Sequence, residues 1–239
     1  MKKKTNISYW LRKLFVSSLI QKILPRIIIR KLVFDTIYHS KHWVHHSKNL
    51  KKEHISISGP GSNLNKNGEN TNTVMLKKII KKYKIKSIID VPCGDFIWME
   101  KVMNKNKKLK YLGIDIVQNL IENNKKNYKN KNINFKSLDI FEIKSLKKFN
   151  YDLIICKDFF IHCCFEDIKN LISKIKNSKI KYLLCDNHTK LEKNTDIVIG
   201  KHREINLMKF PFNLKKPIFK YLECKVSNRE VLLFKIKNL

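Results

Sequence analysis

The sequence predicts an α/β fold: an open, doubly wound, mostly parallel sheet with a C-terminal antiparallel hairpin. Three observations carry this. A length of 239 residues suits one well-buried domain and is too short for two large ones. From residue 73 onward, short apolar runs alternate with helical periods, the pattern of parallel β-α-β units. The last two runs, 217–225 and 230–237, read as an antiparallel pair at one edge of such a sheet.

The elements follow in order. Residues 1–50 form a basic, partly amphipathic extension, and 51–239 form the α/β domain. Residues 51–72 are polar and rich in Gly, Ser and Asn, which predicts an irregular loop. A helix is expected over 73–84, a buried strand over 87–91 (SIIDV) and a helix over 95–104. A strand at 111–114 (YLGI) precedes a helix at 117–128, and a third strand covers 133–137. The run 151–156 (YDLIIC) is a strand, followed by a helix at 165–176 and a strand at 181–185 (KYLLC). The strand pattern and turns all lie beyond residue 30, so removal of residues 1–30 is expected to leave the core folded.

The formal charge is +31, yet only five of the 51 basic residues are arginine. Lysine, isoleucine and asparagine all have AT-rich codons, so base bias accounts for this charge as readily as a polyanionic partner does. Nucleic-acid readers favour arginine for bidentate contacts, and arginine is scarce here. Nucleic acid is therefore an open but unfavoured partner. None of the six cysteines stands in a Cys-x-x-Cys pair, so neither zinc nor a disulfide is expected, and a reduced cytosol is the default.

Residues 9–33 are apolar but interrupted by basic residues and Pro25, so no run approaches the ~18–20 residues needed to span a bilayer. Trp10, Leu11, Leu14, Phe15, Leu19 and Ile20 recur at helical spacing. Such a helix packs on the domain, or lies on an anionic membrane surface.

In open α/β sheets the ligand sits beyond the carboxyl ends of the strands, where strand order reverses. The first predicted strand runs into DVPCGD at 90–95, the second into Asp115, the third into Asp139-Ile140 and the fourth into CKDFFIH at 156–162. Gly94 lets the backbone approach a ligand with no Cβ between them. Asp115, 21 positions past Gly94, is placed to accept two ribose hydroxyls. Asp139 is placed to accept from an adenine amino group while the Ile140 backbone reads the ring edge. The carboxylates also suit a ligand carrying a sulfonium and an ammonium, which points to S-adenosylmethionine. Any one of these acids could be a turn or helix cap, but three at successive strand ends are hard to ascribe to capping. A dinucleotide is excluded, since Gly-x-Gly-x-x-Gly is missing and Asp95 would repel a diphosphate.

The segment SIIDVPCGDFIWM at 87–99 resembles the first motif of class I S-adenosylmethionine-dependent methyltransferases, in a D-x-P-C-G-D-x-x-W-M variant. A bacterial-type methyltransferase-domain family of undefined substrate resembles more of the chain. Its motifs appear as SGPGS at 58–62, YLGIDIV at 111–117, CKDFFIH at 156–162, and DIVIGKHREINL at 196–207 with Pro211-Phe212. The resemblance runs from about Phe34 to the C-terminus and implies a Rossmann-like fold. It also implies that Asp90, Pro92, Cys93, Gly94, Asp95 and Trp98 surround the cofactor, with Asp115, Ile116, Asp139, Ile140 and Cys156. It favours Ser58, Gly59, Gly61 and Ser62 as a lid over the cofactor, against an ordinary glycine-rich turn. The family's first glycine is Pro92 here, so cofactor binding rests on Gly94 and backbone geometry.

Methyl transfer needs a positioned nucleophile, and a base only where the acceptor must lose a proton. His162 is the candidate base, with Asp158 orienting the acceptor or the cofactor's ammonium; the competing readings are a core histidine and a capping acid. Arg203, one of five arginines, suits a carboxylate or phosphate, or else a surface salt bridge. The leading expectation is an enzyme methylating O or N of a small-molecule, glycan or lipid-linked acceptor. The alternatives are an RNA methyltransferase, and a non-catalytic module that binds a membrane or partner through residues 1–50.

Overall fold

The computed structural model describes residues 13–15, 17–46, 50–224 and 228–239. The domain is a seven-stranded sheet in the order β3-β2-β1-β4-β5-β7-β6. The strands are β1 (Ser87–Asp90), β2 (Lys110–Asp115), β3 (Ile133–Ser137), β4 (Leu153–Cys156), β5 (Tyr182–His188), β6 (Phe219–Cys224) and β7 (Arg229–Lys235). Strands β1 to β5 are parallel, while β7 runs antiparallel between β5 and β6. This is the Rossmann-like architecture with its hairpin edge. Strand order reverses between β2-β1 and β4, so the crevice opens past the ends of β1 and β4.

The central strands β1, β2, β4 and β5 are too apolar to face water on either side, and both faces of the sheet are covered there, while the edge strands β3 and β6 keep exposed polar positions. One face packs under α3 (Thr71–Tyr83), α4 (Ile97–Met103) and α5 (Gln118–Asn127), through Leu76, Ile79, Met99 and Ile121. The other packs under α6 (Phe165–Lys176), through Ile168, Leu171, Ile172 and Ile175, with Ile205 and Leu207 alongside. Glu166 and Asp167 in the first turn of α6 and Lys174 and Lys176 in its last complement the helix dipole.

The predicted and observed elements differ mainly at ends. Helix α4 starts at Ile97 instead of 95, because Phe96 takes a left-handed φ of 64° and Asp95 is drawn into the preceding loop. Strand β5 continues to His188, since β7 pairs with it from Tyr182 through His188. The loop before α3 holds two 3₁₀ turns, Lys52–His54 and Pro60–Ser62.

Ahead of the sheet lie α1 (Ser18–Ile23) and α2 (Arg26–His39), separated by Pro25, which cannot continue a helix begun before it. Ile29, Val33 and Ile37 of α2 pack with Ile199 in a small core of their own. Arg30 is 3% exposed and reaches into the domain, with Nε 2.6 Å from Asp139 Oδ2 and Nη1 3.0 Å from Asp167 Oδ2. Residues 1–30 are thus tied to the domain, and deleting them would leave Asp139 and Asp167 without this cation. Trp10 and Leu11 lie outside the described residues. No helix among those described is long and apolar enough to cross a membrane.

Candidate functional site

A cavity of about 370 Å³ lies at the carboxyl ends of β1, β2 and β4, within the range of small-molecule sites. The turn after β1 forms one wall. Gly94 holds φ at 55°, and a Cβ there would stand 2.3 Å from Ser58 Oγ. Only glycine allows this approach. Ser58 Oγ accepts a hydrogen bond from Asp95 N at 2.8 Å and one from Tyr38 Oη at 3.1 Å. Asp95 in turn accepts from Ser56 Oγ and Ile57 N. The SGPGS segment is thus latched to the glycine turn, and Ser58, Gly59, Gly61 and Ser62 all border the cavity. Asp95 itself does not line it; its work is the latch.

Asp90 and Asp115 do line the cavity, each 3% exposed. Asp115 accepts from Gly94 N at 3.2 Å and Val117 N at 3.0 Å, and Asp90 accepts from Tyr111 Oη at 2.8 Å. Burial pushes Asp90 up to about 7 and Asp115 up to about 6, with the hydrogen bonds pulling the other way. Neither carboxylate makes an ion pair among the described residues. Pro92, Cys93, Trp98, Ile116 and Ile140 are also in the wall. Cys156 is not: it is fully buried within β4, so its thiol packs against the apolar core.

Asp139 lines the cavity but is not open as expected. Its Oδ2 accepts from Arg30 Nε and its Oδ1 from Phe141 N at 2.9 Å. The Arg30 guanidinium also sits 4.9 Å from the centre of the Phe141 ring.

Beyond β4, Asp158 has a left-handed φ of 51° and both oxygens engaged, Oδ2 by Lys157 Nζ at 2.7 Å and Oδ1 by Arg229 Nη1 at 2.8 Å. Burial would raise its pKa, but these two cations hold it below the usual carboxylate range. It is neither a base nor a free anion for an ammonium. A Cβ on Gly61 would stand 2.7 Å from Asp158 Oδ2, so the lid segment meets this group too. His162 lines the cavity, with Nδ1 3.0 Å from Lys201 O. Since a carbonyl only accepts, Nδ1 carries the proton and Nε2 is left with its lone pair. Burial lowers its pKa to about 4, so the ring is neutral at pH 7. Its neighbours are Trp43 at 5.5 Å and His202 at 5.6 Å between ring centroids.

Arg203 is corrected outright. Its guanidinium donates to Thr195 O at 3.1 Å, Phe160 O at 2.5 Å and Cys163 O at 2.9 Å, and it does not line the cavity. It fastens two loops together. The arginines that do reach the cavity are Arg30 and Arg229, and the scarcity of arginine that drew attention to Arg203 applied equally to them. Sequence reasoning also missed Phe34, Tyr38, His42 and Trp43, because residues 1–50 carried no recognisable motif.

A family model described as a methyltransferase domain matches residues 82–210. No curated protein matches the chain. Among solved structures, the chain is similar to human N-acetylserotonin methyltransferase in complex with SAM, at TM-score 0.50 and 13% identity, covering 69% of this chain and 51% of that one. It is similar to the methyltransferase domain of bacterial CtHen1-C, at TM-score 0.52 and 14% identity, covering 69% and 96%. A protein from Pyrococcus horikoshii OT3 gives TM-score 0.51 and 11% identity, covering 69% and 89%. At such identities the likeness is one of fold. The chain spans about half the length of the human enzyme.

Proposed function

The chain belongs to the methyltransferase-domain family, and we propose that it transfers a methyl group from S-adenosylmethionine to an oxygen or nitrogen of a small-molecule, glycan or lipid-linked acceptor. One observation carries the cofactor reading: Asp90 and Asp115 are buried acids at the cavity wall, and neither makes an ion pair among the described residues. A cationic ligand with hydroxyl donors supplies what burial withholds from them. The bare backbone at Gly94 lets Ser58 close on the turn, which sets the SGPGS segment against the cavity.

In this reading Asp115 would accept the ribose hydroxyls and the Gly94 turn would help to hold the methionine moiety. Ile140 reads the adenine edge through its backbone, with Leu138 and Phe141 as apolar neighbours. Asp139 does not take the adenine amino group; it holds Arg30, and with it α2, against the site. The bound cofactor supplies an electrophilic methyl: an acceptor lone pair forms the new bond to carbon while the carbon–sulfur pair stays on sulfur.

The protein's own contribution is position and exclusion of water. The SGPGS segment, latched through Ser58, covers one side, and α2 covers another through Phe34 and Tyr38. His162 Nε2 accepts a hydrogen bond from the acceptor hydroxyl or amine and aims its lone pair. For a hydroxyl acceptor, the proton on the methylated oxygen is far more acidic than an imidazolium, so even a ring titrating near 4 takes it, whereas a methylated amine keeps its proton at pH 7.

An acceptor screen tests the reading. Methyl-labelled cofactor is incubated with the full chain and separate metabolite, lipid and RNA fractions. Label in the metabolite or lipid fraction supports the proposal. Label confined to RNA would transfer the site to a polyanionic acceptor, which the charge of +31 would then serve.

A further inference from the structure

The N-terminal segment carries large apolar side chains that stay about half or more exposed among the described residues. Leu14, Leu19, Ile23, Ile27 and Ile28 are 50%, 67%, 69%, 44% and 45% exposed. Scattered singly, such residues would be ordinary; a run along one segment marks an interaction face. Leu19 and Ile23 fall four residues apart on α1, and Ile27 and Ile28 stand in the first turn of α2, past the break at Leu24 and Pro25.

The exposure is held in place from beneath. Gln21 Nε2 donates to Ile199 O at 2.9 Å and its Oε1 accepts from Ile199 N at 2.8 Å. Arg26 pairs with Glu166, and Arg30 is locked to Asp139 and Asp167. The helices cannot roll to bury these side chains without breaking those bonds.

Charge selects the occupant. The first 34 residues hold nine lysines and arginines and no acidic residue. Lys22 and Lys31 stand among the apolar positions, and both are exposed. A second copy would bring the same positive segment against itself. Nucleic acid would satisfy the lysines but not the leucine and isoleucines. We propose that this face docks on an anionic bilayer surface, with Leu19, Ile23, Ile27 and Ile28 entering the boundary between headgroups and acyl chains and Lys22 and Lys31 meeting lipid phosphates. The inner face of α2 walls the cavity through Arg30, Phe34 and Tyr38, so docking sets the cover of the site against the lipid.

Flotation of the full chain with phosphatidylcholine vesicles, with and without phosphatidylglycerol, tests this. The parent should float with the anionic vesicles only. L19S/I23S should bind them at least about tenfold more weakly, since two apolar side chains no longer leave water. Its melting temperature should match the parent's, because both side chains are exposed already; I27S/I28S is the second variant should the first fail to fold. Equal flotation of parent and variant would mean that charge alone binds, and flotation of neither would end the idea. A dimer of the parent in light scattering that L19S/I23S dissolves would assign the face to a second copy and overturn the proposal.

Discussion

Replacing Arg30 by alanine should destabilise the fold by about 3–5 kcal/mol, the range for removing one partner from a buried ion pair. The magnitude follows from what the guanidinium leaves behind. Asp139 and Asp167 are 6% and 5% exposed, so each loses its charge partner with little water to replace it. Glu142, its third partner, is 49% exposed and rehydrates at small cost. In a domain of this size each kcal/mol lowers the melting temperature by roughly 2–4 °C, so the variant should melt about 6–20 °C below the parent. The pH dependence adds a second check. Burial already raises the Asp167 carboxyl, while Arg30 lowers it. Without Arg30 the folded-state value rises further, and the folded chain then holds more protons than the unfolded chain in mildly acid solution. The variant's deficit should therefore shrink as pH falls from neutrality toward about 5. Arg30→Lys, a point charge in place of a planar fork, should lie between the two. Thermal melts followed by circular dichroism at several pH values measure all of this. A shift under about 2 °C, or a deficit that grows in acid, would refute the pairing of α2 with the domain.

Two further outcomes concern the site. His162→Ala should lower turnover by roughly 10²-fold and leave cofactor affinity unchanged, and above about pH 5 parent and variant should share one pH profile of kcat/KM, because burial takes the ring to about 4; a rising limb near 6.5, the value of a free imidazole, that the variant lacks would contradict the shielding. Gly94→Ala should weaken S-adenosylmethionine about tenfold or more by driving Ser58 off the turn, and adding Ser58→Gly should restore part of the loss; if the second change has no effect in calorimetry, the clash with Ser58 is not the cause.

The centre of the sheet was legible because β1, β2, β4 and β5 are apolar runs set among helices of regular period, so burial marks them. The acids at the ends of β1 and β2 were legible for a related reason, since a carboxylate following a buried strand has to be at its mouth. What the site residues do to each other was not legible. Asp139 reads as open until Arg30, 109 positions away, is brought beside it. Asp158 reads as a free acid until Lys157 and Arg229 close on it. Arg203 looks like a ligand group because nothing local shows that its guanidinium reaches two carbonyls of the loop after β4 besides one of its own segment. The cover formed by α2 escaped for the same reason: its periodicity shows that one face is buried, but not that the face includes the wall of a cavity.

Titration calorimetry of the full chain with S-adenosylmethionine tests the central claim most directly, comparing the parent with Asp115→Ala at neutral pH and at about pH 5. The parent should bind the cofactor at neutral pH, and the variant should lose about 2–3 kcal/mol, the scale of charge-assisted hydrogen bonds to the ribose. Asp115 titrates at about 6, so below that the parent should weaken as the carboxylate takes up a proton, and the variant should show no such fall from this group. A parent that does not bind S-adenosylmethionine, or a variant that binds it as tightly at both pH values, would contradict the account.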